Sequence, residues 1–231
     1  MYPPRCPVCD DILFENKSIK RPDVCLGCLK DIRIIKQPTC MRCGKQLEDE
    51  IDEFCYDCTF KRFEFERGVA GFSYSKAMRR SMYAFKYNNR REYANFYSKV
   101  ICEKYNKVIK SWDADVLIPV PLHRARFIKR GYNQAQVMAE AIGKKIGMEV
   151  DSKLLVRNKN TKPQKELTDK ERCNNIENAF QISSNAIKYK KVILVDDIYT
   201  TGTTINECAK VLKRNGVETV YFVSVCVGNG F

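Results

Sequence analysis

Two adjacent carboxylates, Asp196 and Asp197, follow the apolar run Val192-Ile193-Leu194-Val195 and stand just before the turn Thr200-Thr201-Gly202-Thr203-Thr204. Carboxylates accept hydrogen bonds from neighbouring hydroxyls. A short loop of Gly and Thr that opens a helix presents backbone N–H groups, hydroxyls and the positive end of a helix dipole to an anion. Acids beside an anion cradle suit a ligand with both a phosphate and a diol. No Gly-Lys-Ser/Thr follows the turn, so it is not an NTPase P-loop. The plainer reading, an acid pair capping a helix beside an ordinary turn, fits less well, because strand, acids, loop and helix all agree.

A second group of candidate phosphate ligands lies between Pro119 and Gln134, where Arg124, Arg126, Lys129 and Arg130 fall in what reads as a loop after a buried strand. Such cations neutralise a diphosphate. The alternative is a basic surface loop without a ligand. His123 is the only histidine. A lone loop histidine more often bonds its own neighbours, so no catalytic role is assigned to it and no general base is named.

Eight of the twelve cysteines form four Cys-x-x-Cys pairs in the first 58 residues: Cys6/Cys9, Cys25/Cys28, Cys40/Cys43 and Cys55/Cys58. Each pair sets two sulfurs at the separation that one tetrahedral metal needs, and two pairs close the shell. Consecutive pairing is favoured over an interleaved arrangement. It gives one zinc ion Cys6, Cys9, Cys25 and Cys28, and a second zinc ion Cys40, Cys43, Cys55 and Cys58. Redox dithiols or an iron–sulfur cluster are lesser alternatives. Zinc held by four thiolates keeps no open position, so the module is expected to dock or bind rather than catalyse. With little apolar periodicity of its own, it needs metal for its folding energy.

The elements that must position these groups follow from pattern. Gly68–Tyr74 reads as a strand, and Lys76–Lys110 as two helices parted at Asn88-Asn89, with Ala77, Met78, Met82 and Phe85 on one face. Asp115–Leu122 suits a buried strand, and Asn133–Ile146 a helix stopped near Gly147. Lys191–Val195 is a strand, Thr203–Arg214 a helix and Glu218–Val227 a strand, which together make a right-handed βαβ unit and a mostly parallel sheet. The acids then emerge at the carboxyl end of a strand, where open α/β sheets bind ligands. Residues 157–178 are polar and aperiodic and read as a long mobile loop or exposed hairpin. The expected organisation is a cysteine-rich module over 1–60, a strand and basic helices over 61–112 and a core domain over 113–231.

A composition of 44% hydrophobic and 30% charged residues belongs to a folded soluble protein. No apolar run is long enough for membrane insertion, and the N-terminus lacks a signal core, so a cytoplasmic protein with reduced thiols is expected. The net charge of +13 is uneven, with thirteen Lys and Arg against four acids in residues 61–112. Such a surface attracts phosphates, including nucleic acid. Arg79, Arg80, Lys86, Arg90 and Arg91 interleave with Tyr83, Phe85, Tyr87 and Tyr93. That pattern pairs phosphate contacts with base stacking, although a core role for most of the aromatics explains it equally well.

The segment Val192–Thr204 resembles the thirteen-residue phosphoribosyl-pyrophosphate (PRPP) motif of type I phosphoribosyltransferases. The resemblance implies a site for PRPP with Mg²⁺, with Asp196 and Asp197 on the ribose hydroxyls and Thr200, Thr201, Gly202, Thr203 and Thr204 on the 5′-phosphate. Arg126 and Arg130 would serve the diphosphate. Further matches are Pro119-Val-Pro-Leu-His123, Arg130-Gly-Tyr-Asn-Gln134, and Gln164, Arg172, Asn175 and Ala179-Phe180. With the cysteine-rich start, they make nearly the whole chain similar to the ComF (ComF/GntX) family of competence proteins. That similarity implies an α/β fold: a type I phosphoribosyltransferase-like, mostly parallel sheet flanked by helices, with a small N-terminal zinc-ribbon module. It also implies a role in natural transformation, handling incoming single-stranded DNA with DNA-uptake proteins that include a helicase. Many relatives have a single four-cysteine site, whereas this chain has eight cysteines. Two other readings remain open: an active transferase joining a nucleobase or other amine to PRPP, and a non-catalytic PRPP-sensing regulator.

Overall fold

The computed structural model describes residues 3–14, 23–158, 179–183 and 188–228. Four apolar segments form one parallel sheet: β1 (Arg67–Ser73), β2 (Val116–Pro119), β5 (Lys191–Tyr199) and β6 (Thr219–Val227). Their order is β1-β6-β5-β2. A separate antiparallel pair joins β3 (Leu155–Arg157) to β4 (Phe180–Ile182). The helices are α1 (Leu26–Leu29), α2 (Tyr56–Phe60), α3 (Lys76–Tyr87), α4 (Tyr93–Ser111), α5 (Arg124–Arg130), α6 (Gln134–Ile146) and α7 (Thr203–Arg214).

Successive strand residues face opposite sides, and both sides are covered. Val192, Leu194, Val220 and Phe222 pack with Ile205, Cys208 and Leu212 of α7 and with the second cysteine cluster. Ile193, Val195, Val223 and Val225 pack with the apolar faces of α3, α4 and α6. This two-sided burial explains why the central strands read as continuous apolar runs. The outer edge of β1 is closed by the ribbon segment, through Ile35 N–H to Gly71 O (3.1 Å), Ser73 N–H to Arg33 O (2.9 Å) and Gly68 N–H to Arg42 O (2.7 Å). A bare sheet edge is thereby removed.

Two expectations are corrected. Arg124–Arg130 is a short helix rather than a loop, because His123 caps it by accepting from Ala125 N–H at 3.2 Å and Gly131 closes it at φ 77°. Strand β5 runs to Tyr199 rather than stopping at Val195, because β6 continues beside it up to Val227. Of the polar stretch 157–178, Arg157 belongs to β3, whereas 159–178, with Gln164, Arg172 and Asn175, lies outside the described residues. Among the described residues no helix is long and apolar enough to cross a membrane.

Candidate functional site

The cysteines gather into two clusters, Cys6/Cys9/Cys25/Cys28 and Cys40/Cys43/Cys55/Cys58, each with its sulfurs within 4.8 Å of one another. Pairing is therefore consecutive. Zinc–sulfur bonds of about 2.3 Å in a tetrahedron require sulfurs about 3.8 Å apart. The Cys9–Cys25 and Cys43–Cys55 sulfurs lie 3.7 and 3.6 Å apart, so the donor sets fit zinc. The first cluster docks on α3 and α4 through polar contacts. Asp10 accepts from Arg90 (2.5 Å) and from the Tyr93 hydroxyl (2.6 Å), Arg80 donates to Val8 O (2.9 Å), and Ser81 bonds Pro7 O. All four cysteines of the second cluster are buried and belong to the main core beside Phe65 and Tyr199.

The acid pair lies at the sheet's carboxyl edge for a topological reason. Strand β2 ends at Pro119, opposite Val195, and Val120 N–H makes the last bond to Val195 O at 2.9 Å. Beyond that point β5 has lost one neighbour, and a cleft of about 390 Å³ opens. Asp196, Asp197, Thr200 and Thr204 form one wall, and Arg126, Lys129, Arg130 and Gln134 another. Thr201 and Thr203 are not among the lining residues, and their hydroxyls are bonded to each other at 3.0 Å. Gly202 is buried at φ 81°, where a Cβ would lie 2.6 Å from the Tyr199 hydroxyl, so its part is to allow the turn.

Five cations, Lys86, Arg126, Lys129, Arg130 and Arg157, face two carboxylates across this cleft. Lys86 reaches Asp197 at 2.7 Å. Arg130 donates to Gln134 Oε1 (2.9 Å) and the Tyr87 hydroxyl (3.0 Å) and lies 4.8 Å over the Tyr87 ring. Burial, and then the Arg130 charge, hold Arg126 below its usual range; burial and Arg126 do the same to Arg157. Burial, and then the Asp197 charge, push Asp196 up to about 7. Gln134 is 1% exposed, and among the described residues its Nε2 has no hydrogen-bond partner. Crowded cations beside a carboxyl forced upward mark this cleft as the candidate site.

Sequence reasoning placed Lys86 on a DNA-facing stripe; the structure turns it into the cleft. It also missed Tyr74, Arg157 and Gln134 as lining residues. The helical spacing of α3 offered one signal, since Lys86 directly follows buried Phe85 at the margin of the apolar face. For Arg157, whose place depends on the β3–β4 pairing, no local signal existed. Of the aromatics in that stripe, Phe85 and Tyr93 are core, and Arg80 and Arg90 bind the first ribbon.

A parallel α/β sheet with an acid pair and a Thr/Gly turn at its carboxyl edge, preceded by two four-cysteine ribbons, defines a phosphoribosyltransferase-type fold carrying a double zinc ribbon. Residues 1–59 match the family model for a double zinc ribbon domain, and residues 116–230 that for a phosphoribosyl transferase domain. Competence protein F of Haemophilus influenzae is 32% identical over 212 residues, covering 89% of this chain and 90% of that one. Competence protein ComFC of Bacillus subtilis is 26% identical over 224 residues, covering 91% and 89%. The DNA utilization protein YhgH of Escherichia coli O157:H7 is 27% identical over 175 residues, covering 74% and 77%. The chain belongs to the ComF family of competence proteins.

Proposed function

We propose that the cleft binds PRPP with Mg²⁺, and that the chain serves DNA uptake by handling single-stranded DNA in the cytoplasm. The carrying observation is the meeting of five cations with two adjacent carboxylates at the open end of β5. In this reading Asp196 and Asp197 accept from the ribose hydroxyls, and Thr200, Thr204 and the turn that Gly202 permits hold the 5′-phosphate. Arg126 and Arg130, with Lys129, face the diphosphate. Mg²⁺ arrives with PRPP and neutralises diphosphate oxygens. The role in DNA uptake is supported by family membership, by the names of the relatives and by the basic surface. It carries with it partners in the uptake machinery, a helicase among them.

Calorimetric titration tests the site. Mg²⁺-PRPP is expected to bind the wild type, and Asp196→Asn with Asp197→Asn to weaken binding at least a hundredfold. Unchanged binding by that double variant would overturn the assignment. One observation favours an active transferase as a second reading: an Asp196 carboxyl near neutrality is suited to accept a proton from an attacking amine. Pyrophosphate release in the presence of nucleobases would establish that activity, and its absence would favour a binding role.

A further inference from the structure

Three depressions run in line along the outer face of α3 and share walls. The phosphate cleft and its neighbour, of about 400 Å³, have Tyr74, Lys86, Tyr87 and Ile198 in common. That neighbour and a third, of about 560 Å³, share Lys76 and Arg80. The third lies where α3 meets the first zinc ribbon, which contributes Lys30 and Arg33. Arg79 adds another cation between them, and among the described residues Asp31 is the one acid lining the two outer depressions.

Aromatic faces interrupt this row of cations. Tyr83 and Tyr87, one helical turn apart, are 57% and 50% exposed, with ring centroids 4.9 Å apart. The core does not require them, because α3 buries Ala77, Met78, Ser81, Met82 and Phe85 instead. Exposed rings flanked by cations match one ligand chemistry: a phosphate backbone with unpaired bases. An acidic peptide would meet the charges and leave the ring faces idle, and a duplex keeps its base faces stacked on one another.

We propose that this face is a single-strand nucleic-acid track, running from the first zinc ribbon over α3 and ending at the phosphoribosyl cleft. The proposal deepens the DNA-handling reading and rests on it. Bases stack on Tyr83, with Tyr87, whose ring already carries Arg130, beside it, while Lys30, Arg33, Lys76 and Arg79 follow the backbone. α3 alone spans about 18 Å. With the third depression added, the track holds on the order of four nucleotides or more, within the usual range for such grooves. The first ribbon thus provides the far end of a binding surface in addition to its metal site. Because Lys86 and Tyr87 line both the track and the cleft, a nucleotide at the near end lies beside the sugar phosphate.

The test is fluorescence anisotropy with labelled dT15, using the zinc-loaded full chain. Arg79→Glu with Tyr83→Ala is expected to weaken binding about tenfold or more. Lys30→Glu with Arg33→Glu should also weaken it and flatten the salt dependence by about one unit of slope per lost contact. Neither pair belongs to the cleft, so both should titrate Mg²⁺-PRPP within twofold of wild type. A duplex of equal length should bind more weakly. If rU15 matches or exceeds dT15, the track stands and RNA shares its chemistry. Wild-type affinity for dT15 in both variants would overturn the track and leave DNA handling to another surface. Equal affinity for duplex and single strand would overturn the single-strand assignment. No binding of wild type to any oligonucleotide would sink the track and the DNA-handling reading together, whatever the PRPP result.

Discussion

The zinc ribbons and the cleft beside Asp196 treat their polar groups in opposite ways. In the first ribbon Asp10 meets both Arg90 and Tyr93, and Arg80 and Ser81 satisfy backbone carbonyls. In the cleft Asp196 is pushed up to about 7, and among the described residues the buried Gln134 Nε2 has no hydrogen-bond partner. One region spends its groups on holding the fold. The other holds a carboxyl and a crowd of cations in unfavourable surroundings, at a cost to the stability of the free protein. Substitutions should therefore destabilise in the ribbons and can stabilise in the cleft.

The largest effect should come from the second cysteine cluster, since structural zinc supplies about 10 kcal/mol or more of folding energy and this cluster lies in the main core. Cys43→Ser, or removal of zinc by a chelator, should abolish cooperative thermal unfolding seen by circular dichroism. Cys9→Ser should do less, because the first cluster packs on the outside of α3. A lower melting temperature with the α/β fold retained is expected, and equal damage from both would erase the distinction between the ribbons.

Asp196 gives the comparison its sharpest test. Its pKa is raised above the unfolded value of about 4, so the fold holds a proton that the unfolded chain has released. Stability should fall as pH rises from about 4 to about 7 and level off above. Asp196→Asn should remove that slope and stabilise the free protein at pH 8 by on the order of 2 kcal/mol, a discounted figure because the carboxyl borders an open cleft. Destabilisation at pH 8 in chemical denaturation would break the contrast. Next comes Tyr93→Phe, which takes one partner from Asp10 and should cost about 1 kcal/mol. Smallest is Lys99→Ala, which removes a half-exposed pair with Asp23 and should cost a few tenths of a kcal/mol at most.

Much of the architecture could be read from local pattern. The strands at 67–73, 116–119 and 219–227, the break near Asn88 and the stop at Gly147 are each set by residues next to one another in sequence. The short helix after His123 was missed because a histidine cap and a run of arginines carry no apolar period. The full length of β5 was missed because its last four residues are strand only through pairing with β6.

The residue order by itself determined the four Cys-x-x-Cys pairs, the acid pair before its turn and the parallel βαβ unit, while the pairing of the cysteines into two consecutive sets was settled by the structure. Metal geometry, β-branched runs and turn chemistry all act within a few residues. Tertiary structure alone decided that Lys86 and Arg157 join Arg126 and Arg130 around Asp196 and Asp197, and that Arg80 and Arg90 bind the ribbon. Such meetings join residues up to 111 positions apart, as in the Lys86–Asp197 pair, and burial and charge act on them only after the sheet and its helices have packed.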